Sequence, residues 1–362
     1  MQKLSINLVV QNGEIYIPFL FDSLKKQSFK DYKILIWDNG STDNTVSCIE
    51  KELENLGIEY RITRSPHNIG FAAGHNELYR QVNTLYFTII NVDMYVLPDV
   101  FAKMALFLDR YEETVSVAPR LMRWDFEKIS PTLINKEEMS ASARIGFTSQ
   151  IDAIGIRLFK NRRAVEWLTQ QQWAQESSSK EVREIFDKPV LEVFGVSGAF
   201  SMYRKSIVDR VLLPGNNFFD PTYHSYKEDL DLAYRLRNAG FVSYVILDAV
   251  AYHDRTGAGP RQMSDFAVIH NKSSQSFFVK YHSYKNHIRT LYKNEYWQNI
   301  VLDAPSIILY ELKKFFYFLF TSPSLVIRGW IAIIKYWSYT TSARKSIVAS
   351  RRMPWKGIRR WL

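Results

Sequence analysis

A mostly parallel α/β sheet flanked by helices, Rossmann-like and doubly wound, with a helical C-terminal extension, is the fold class that this 362-residue sequence predicts. Three observations carry that expectation. Short β-rich runs alternate with stretches of helical spacing through residue 118, the signature of repeated βα units. Acidic clusters recur where an apolar run gives way to a loop: Asp38, Asp93 and Glu228-Asp229. The formal charge of +10 is concentrated at the C-terminal end.

The elements follow in order. Ile6 to Val10 is a β-rich run, and Glu14 to Gln27 has helical spacing. Lys33 to Trp37 is a second strand that ends at Asp38. Asp43 to Leu56 reads as a helix closed by Gly57, a residue favoured just past a helix end. Strands at Tyr60–Thr63, Leu85–Ile90 and Val115–Ala118 alternate with helices near Phe71–Val82 and Asp99–Tyr111. Between residues 122 and 190 the pattern breaks into polar sequence, which reads as an insertion or acceptor-side loop region. Order returns with Leu191–Val196, Gly198–Arg204, a helix from Asp229 to Ala239 closed by Gly240, and a strand from Phe241 to Val250 leading to His253. A helix from Ser274 to Lys293 enters the tail, so the expected division is residues 1–270 and 271–362.

From Ala304 to Leu362 there are eleven Lys or Arg and one acid, Glu311, so the rest of the chain is close to neutral. That balance argues against a nucleic-acid binder. The tail interleaves aromatic and basic residues. Its longest uncharged run, Phe315 to Ile327, contains Pro323 and is shorter than the roughly 20 residues of a membrane-spanning helix. The tail is expected to lie on an anionic membrane surface, the alternative being a helical subdomain packed on protein. The single cysteine, Cys48, rules out an intramolecular disulfide. With an N-terminus that runs directly into a strand pattern, the expectation is a cytoplasmic protein, peripheral on the inner membrane face. The sequence leaves a homo-oligomer open.

In an open α/β sheet, ligands bind outside the carboxyl ends of the strands, so acids there converge on one pocket. Asp38, in Trp37-Asp38-Asn39-Gly40-Ser41-Thr42-Asp43, is placed to accept the imide N–H of a pyrimidine base; the plain alternative is a strand-to-helix turn. Asn68, Gly70, Phe71 and Asn76 belong to a small-residue loop that opens a helix, where free N–H groups attract phosphate. Asn91-Val92-Asp93 ends the strongest apolar strand. Asp93 suits Mg²⁺ or Mn²⁺, which take one or two carboxylates plus phosphate oxygens, and Asn91 is counted with the donor-binding residues. His253 beside Asp93 would complete a metal site, although a lone histidine is as often a satisfied polar residue. Glu228 and Asp229 are candidate general bases, or dipole-complementing acids at a helix start, while Asp231 and Arg235 read as a structural i,i+4 pair.

Taken together, these motifs, with Gly198-Ala199-Phe200 and Glu228-Asp229-Leu230-Asp231-Leu232, resemble the family-two glycosyltransferases of the GT-A fold, and most of all their rhamnosyltransferase-like branch, over about residues 4 to 293. The resemblance implies that Asp38 binds the base, that Asp93 binds a divalent metal bridging the donor diphosphate, and that Asp229 activates an acceptor hydroxyl with inversion at the anomeric carbon. It points to a dTDP- or UDP-sugar donor, with dTDP-L-rhamnose as one candidate, and to a polyprenol-linked glycan acceptor in surface polysaccharide assembly. The rivals are a nucleotidyltransferase, which would normally carry a basic residue where this chain has Gln11-Asn12-Gly13-Glu14, and a catalytically silent carbohydrate-binding protein held at a membrane.

Overall fold

The computed structural model describes residues 2–54, 56–129, 138–176, 178–255 and 275–362. Its strands are β1 (Leu4–Val10), β2 (Tyr32–Asp38), β3 (Tyr60–Arg64), β4 (Tyr86–Ile90), β5 (Met94–Val96), β6 (Thr114–Trp124), β7 (Phe147–Ala153), β8 (Ile156–Leu158), β9 (Ala164–Glu166), β10 (Val190–Val193), β11 (Phe200–Arg204) and β12 (Val242–His253). All but β8 and β9 join one sheet, whose main path runs β10-β12-β6-β11-β4-β1-β2-β3, with β5 on β12 and β7 on β6.

β1 pairs parallel with both β2 and β4, β2 with β3, and β6 with β12, whereas β11 runs antiparallel between β4 and β6. Val10 therefore aligns with Asp38, Leu8 with Ile90, and Phe200 with Ile90. One sheet edge thus collects the carboxyl ends of β1, β2, β4 and β12 and the amino end of β11.

The period of two along each strand decides which helices cover which face. Ile34 and Ile36 share a core with α1 (Ile17–Lys25), α2 (Thr45–Glu54) and α4 (Val100–Arg110), while Leu35, Phe87 and Ile89 pack toward α3 (Phe71–Tyr79) and α8 (Glu228–Asn238). Every residue of β4 is buried, as a strand covered on both faces must be.

Residues 122–190 are not simply loops over the sheet. β7 extends it, β8 and β9 form a separate hairpin, and α5 (Met139–Ile145) and α6 (Lys180–Ile185) complete the segment; the short α7 (Lys205–Val208) follows β11. The strand expected to stop at Ala118 continues to Trp124 because β7 and β12 offer it partners on both sides. β12 likewise runs to His253, placing that residue inside the strand rather than past its end.

The boundary expected at 270/271 lies outside the described residues. Beyond it, α9 (Phe277–Asn294) is followed by α10 (Trp297–Leu302), α11 (Ala304–Thr321), α12 (Pro323–Lys335), α13 (Trp337–Ala349) and α14 (Trp355–Arg359). α9 packs on α8 through buried charge. Lys293 Nζ lies 2.6 Å from Asp220 Oδ2 and 2.9 Å from Asp231 Oδ1, and Arg289 approaches Asp220 at 3.5 Å. Asp231 also pairs with Arg235 at 3.3 Å, all fully or almost fully buried. Burial alone would raise the Asp220 carboxyl, but Lys293 and Arg289 outweigh it and hold it near 2.

Breaking such a pair leaves an uncompensated buried charge, so Lys293→Met is expected to destabilise the fold by about 3–5 kcal/mol. Urea unfolding checks this, and a loss below about 1 kcal/mol would show the pair to be dispensable.

Candidate active site

The shared sheet edge opens onto a pocket of about 520 Å³. Asn91 and Asp93 reach it from the end of β4, His253 from β12, Gly198 and Ala199 from the entry to β11, Glu228 and Asp229 from the start of α8, and Phe71 from the start of α3. Glu166, at the end of β9, and Arg163, just before it, form a further wall. The opposite side comes from the tail: Tyr284 and His287 of α9, and Tyr310, Lys314 and Phe318 of α11.

Asp93 and His253 stand together, Oδ1 to Nε2 at 3.3 Å. On its other side the imidazole meets buried Asp152 of β7, Nδ1 to Oδ2 at 2.8 Å. Burial would depress the His253 pKa, but carboxylates against both nitrogens outweigh it and lift the ring to about 9. Asp152 in turn is held below the usual carboxylate range: its burial is offset by Arg255 and His253. Arg255 also pairs with Glu166 at 3.1 Å, and Ser197 Oγ donates to the same Glu166 oxygen at 2.8 Å.

A hard divalent cation fits this donor set if it displaces the proton that His253 Nε2 shares with Asp93, leaving one carboxylate and one imidazole whose far nitrogen is fixed by a second carboxylate. Among the described residues no third His, Cys, Asp or Glu completes a cluster, so remaining coordination would fall to phosphate oxygens and water, as is usual for Mg²⁺.

Asp229 accepts the Gly198 N–H at 3.4 Å and its own helix's Leu230 N–H at 2.7 Å. A Cβ on residue 198 would come within 3.3 Å of the Asp229 Cβ, so glycine lets the strand entry approach the acid. Glu228 is nearly buried, and its Oε2 has no hydrogen-bond partner among the described residues. Burial, then the neighbouring Asp229, pushes its pKa up from 4.5 to about 8, so at neutral pH Glu228 carries its proton.

The loop leading to these acids is strained. His224, Tyr226 and Lys227 all have φ between 67° and 71°, a left-handed conformation that costs non-glycine residues of order 1–3 kcal/mol each. Its carbonyls are tied down by α9. Asn286 Nδ2 lies 3.1, 3.0 and 2.8 Å from the carbonyl oxygens of Tyr223, Ser225 and Tyr226, and Lys285 Nζ donates to those of Thr222 and Tyr223 at 3.3 Å. Burial and then Arg289 lower the Lys285 pKa to about 7.

Asp38, Asn68 and Gly70 sit on the same sheet edge but do not line this pocket. β2 lies two strands from β4, about 10 Å at the usual strand spacing. There Asp38 Oδ1 accepts the Ser41 N–H at 3.0 Å, Asn39 Nδ2 donates to Asn68 Oδ1 at 2.8 Å, and Asn68 Nδ2 donates to Gln11 at 2.6 Å. Gly70, at φ 95°, allows His224 to pack against α3; a Cβ would fall 2.7 Å from that ring. Asn76 stands apart from the other candidates. It is buried, its Oδ1 accepting the Phe219 N–H at 2.8 Å and its Nδ2 donating to the Phe219 C=O at 3.0 Å, and it does not line the pocket.

Against known proteins, the model of the family described as "Glycosyl transferase family 2" matches residues 5–212. The chain belongs to this family. Among curated relatives of this family 2 chain, the N-acetylglucosaminyl-diphospho-decaprenol L-rhamnosyltransferase of Mycobacterium tuberculosis is 22% identical over 72% of the chain and 79% of that protein. The teichoic acid poly(glycerol phosphate) polymerase of Staphylococcus epidermidis is 28% identical over 32% of the chain, and the poly(ribitol-phosphate) β-N-acetylglucosaminyltransferase TarS of Staphylococcus aureus is 26% identical over the same share. The alignments span only 15% and 20% of those two proteins. Among solved structures, GalNAc-T7 with UDP, GalNAc and Mn²⁺ aligns with a TM-score of 0.54 at 11% identity, covering 81% of this chain and 48% of that one. TarS residues 1–349 with UDP align at 0.50 and 14%, covering 99% and 91%. The fold is thus the GT-A fold that the sequence motifs implied, and the rhamnosyltransferase is among the relatives.

Two outcomes follow from this geometry. Asn286→Ala should lower kcat by about 10-fold or more with donor affinity within about 2-fold, because strained loop carbonyls lose their donor; unchanged kcat would show that the loop holds itself. Glu228 has a folded pKa above its ordinary value, so it binds more protons folded than unfolded, and stability is lost as pH rises from 4.5 to about 8. Glu228→Gln should therefore melt above the native protein at pH 9, by on the order of 5 °C, and close to it at pH 5. Equal melting temperatures at both pH values would contradict a buried, protonated acid.

Proposed function

We propose that the protein is an inverting, divalent-metal-dependent glycosyltransferase that moves a sugar from a UDP- or dTDP-linked donor, dTDP-L-rhamnose among the candidates, to a hydroxyl of a lipid-linked glycan in surface polysaccharide assembly at the cytoplasmic membrane face. The observation that carries this reading is the shared pocket: the Asp93–His253 pair and Asp229 line one cavity from different elements.

The donor would lie along the sheet edge, its nucleoside toward Asp38 and Asn68 and its diphosphate toward Asn91 and Asp93. A divalent ion held by Asp93 and His253 would neutralise the charge that grows on the departing nucleoside diphosphate. Arg255 adds fixed positive charge on the same side: burial lowers its pKa, but Asp152 and Glu166 more than restore it.

Asp229 takes the proton of the acceptor hydroxyl as its oxygen attacks the anomeric carbon from the face opposite the leaving phosphate. The new C–O bond forms as the bond to phosphate oxygen breaks, and configuration inverts. Glu228, protonated at neutral pH, is the poorer base of the two and keeps negative charge in the pocket low enough for Asp229 to face an anionic donor.

Release of nucleoside diphosphate from a panel of UDP- and dTDP-sugars tests the reading. Asp229→Asn should reduce transfer by about 10³-fold or more while nucleotide affinity stays within a few-fold, and Asp93→Ala should weaken metal-dependent nucleotide binding. Retained turnover in Asp229→Asn, or full activity in excess chelator, would refute the base or the metal assignment respectively.

A further inference from the structure

The tail's second amphipathic face is not used by the pocket. Along α11, Ile308, Leu309, Leu312, Phe316, Leu319 and Phe320 recur at helical spacing and are all exposed, Phe320 to 81%. The opposite stripe of the same helix, Tyr310, Lys314 and Phe318, lines the pocket. After the turn at Ser322-Pro323, α12 repeats the pattern: Ile327, Trp330, Ile331 and Ile334 face out, while Leu325, Val326 and Ile333 are buried. One helix pair therefore presents a wide apolar surface, far more than scattered apolar exposure.

We infer that α11 and α12 rest this outward face on an anionic lipid bilayer. This deepens the proposed function and rests on it only for the acceptor's lipid anchor. Charge distribution chooses the occupant. Lys313, Arg328 and Lys335 are exposed on these helices, and residues 312–362 contain no acid. The one acid of the segment, Glu311, turns inward, its Oε1 3.0 Å from His287 and its Oε2 2.6 Å from Lys314. A second copy docking about a two-fold axis would set this basic surface against itself, whereas acidic headgroups neutralise it while acyl chains take the aliphatic and aromatic side chains. No helix among the described residues is long and apolar enough to cross a membrane, so the pair lies along the surface. Because α11 lines the pocket from its other side, the cavity is held beside the bilayer, within reach of an acceptor whose anchor stays in the lipid.

The test is co-sedimentation of the full chain with vesicles of equal phosphatidylglycerol and phosphatidylcholine, against pure phosphatidylcholine, for the native protein and the double variant Phe320→Glu/Ile331→Glu. Both positions are exposed and outside the pocket, so melting temperature and nucleoside diphosphate release from a soluble donor should be unchanged. Native protein should bind the anionic vesicles, less so in high salt, and the variant should bind about 10-fold more weakly or worse. Native protein left in the supernatant, or a variant that binds equally, overturns the inference. So does a dimer, seen by light scattering, that the double variant dissociates, since the occupant is then a second copy. Donor turnover reads the transfer site separately: turnover without vesicle binding sinks the docking face alone, and vesicle binding without turnover supports that face while refuting transfer.

Discussion

The contact between α9 and the loop before α8 is the constraint on which the site depends. Three non-glycine residues in left-handed backbone are held only because surrounding groups over-determine them, and here a single carboxamide, that of Asn286, meets three of the loop's carbonyl oxygens. Release of that contact would let Glu228 and Asp229 swing away from Gly198. The tail therefore acts on the pocket twice, directly through Tyr284, Lys314 and Phe318 in its wall and indirectly through the conformation of the acids opposite.

Burial sorts the carboxyl groups into distinct states. Asp220 has two cations and is held ionised near 2, whereas Glu228 has an acidic neighbour and an oxygen with no hydrogen-bond partner among the described residues, and is held protonated up to about 8. Asp152 sits between these extremes of environment, stripped of water yet flanked by His253 and Arg255, and remains charged. Similar side chains thus serve as structural anchor, neutral acid and imidazole orienter according to what packs against them.

Much of the fold was legible because strand ends and helix caps leave local marks: the runs ending at Asp38 and Ile90, the glycines at 57 and 240, and the β4 run buried on both faces. The placement of Asp93, His253, Glu228 and Asp229 around one cavity follows from the rule for carboxyl ends of strands. Long-range partners were not legible. Asp152 and Glu166 lie in a segment with no clear period, since β7 pairs with β6 over an irregular register and β8 and β9 are only three residues each. Asn286 sits in a helix whose aromatic and basic residues advertise a surface, and only the tertiary contact shows it facing backbone. Asn76 shared a motif with Asn68, yet one turn into the helix its carboxamide meets Phe219 instead of the sheet edge.

The position of α9 in the chain has a consequence for biosynthesis. Lys293 and Arg289, the counter-charges of buried Asp220, leave the ribosome some seventy residues after the acid they neutralise. Until they emerge, closing the fold over that carboxylate would trap charge in a dry interior. The nascent polypeptide is thereby kept from closing its pocket early, and the cavity and the wall that α9 and α11 give it come into being together.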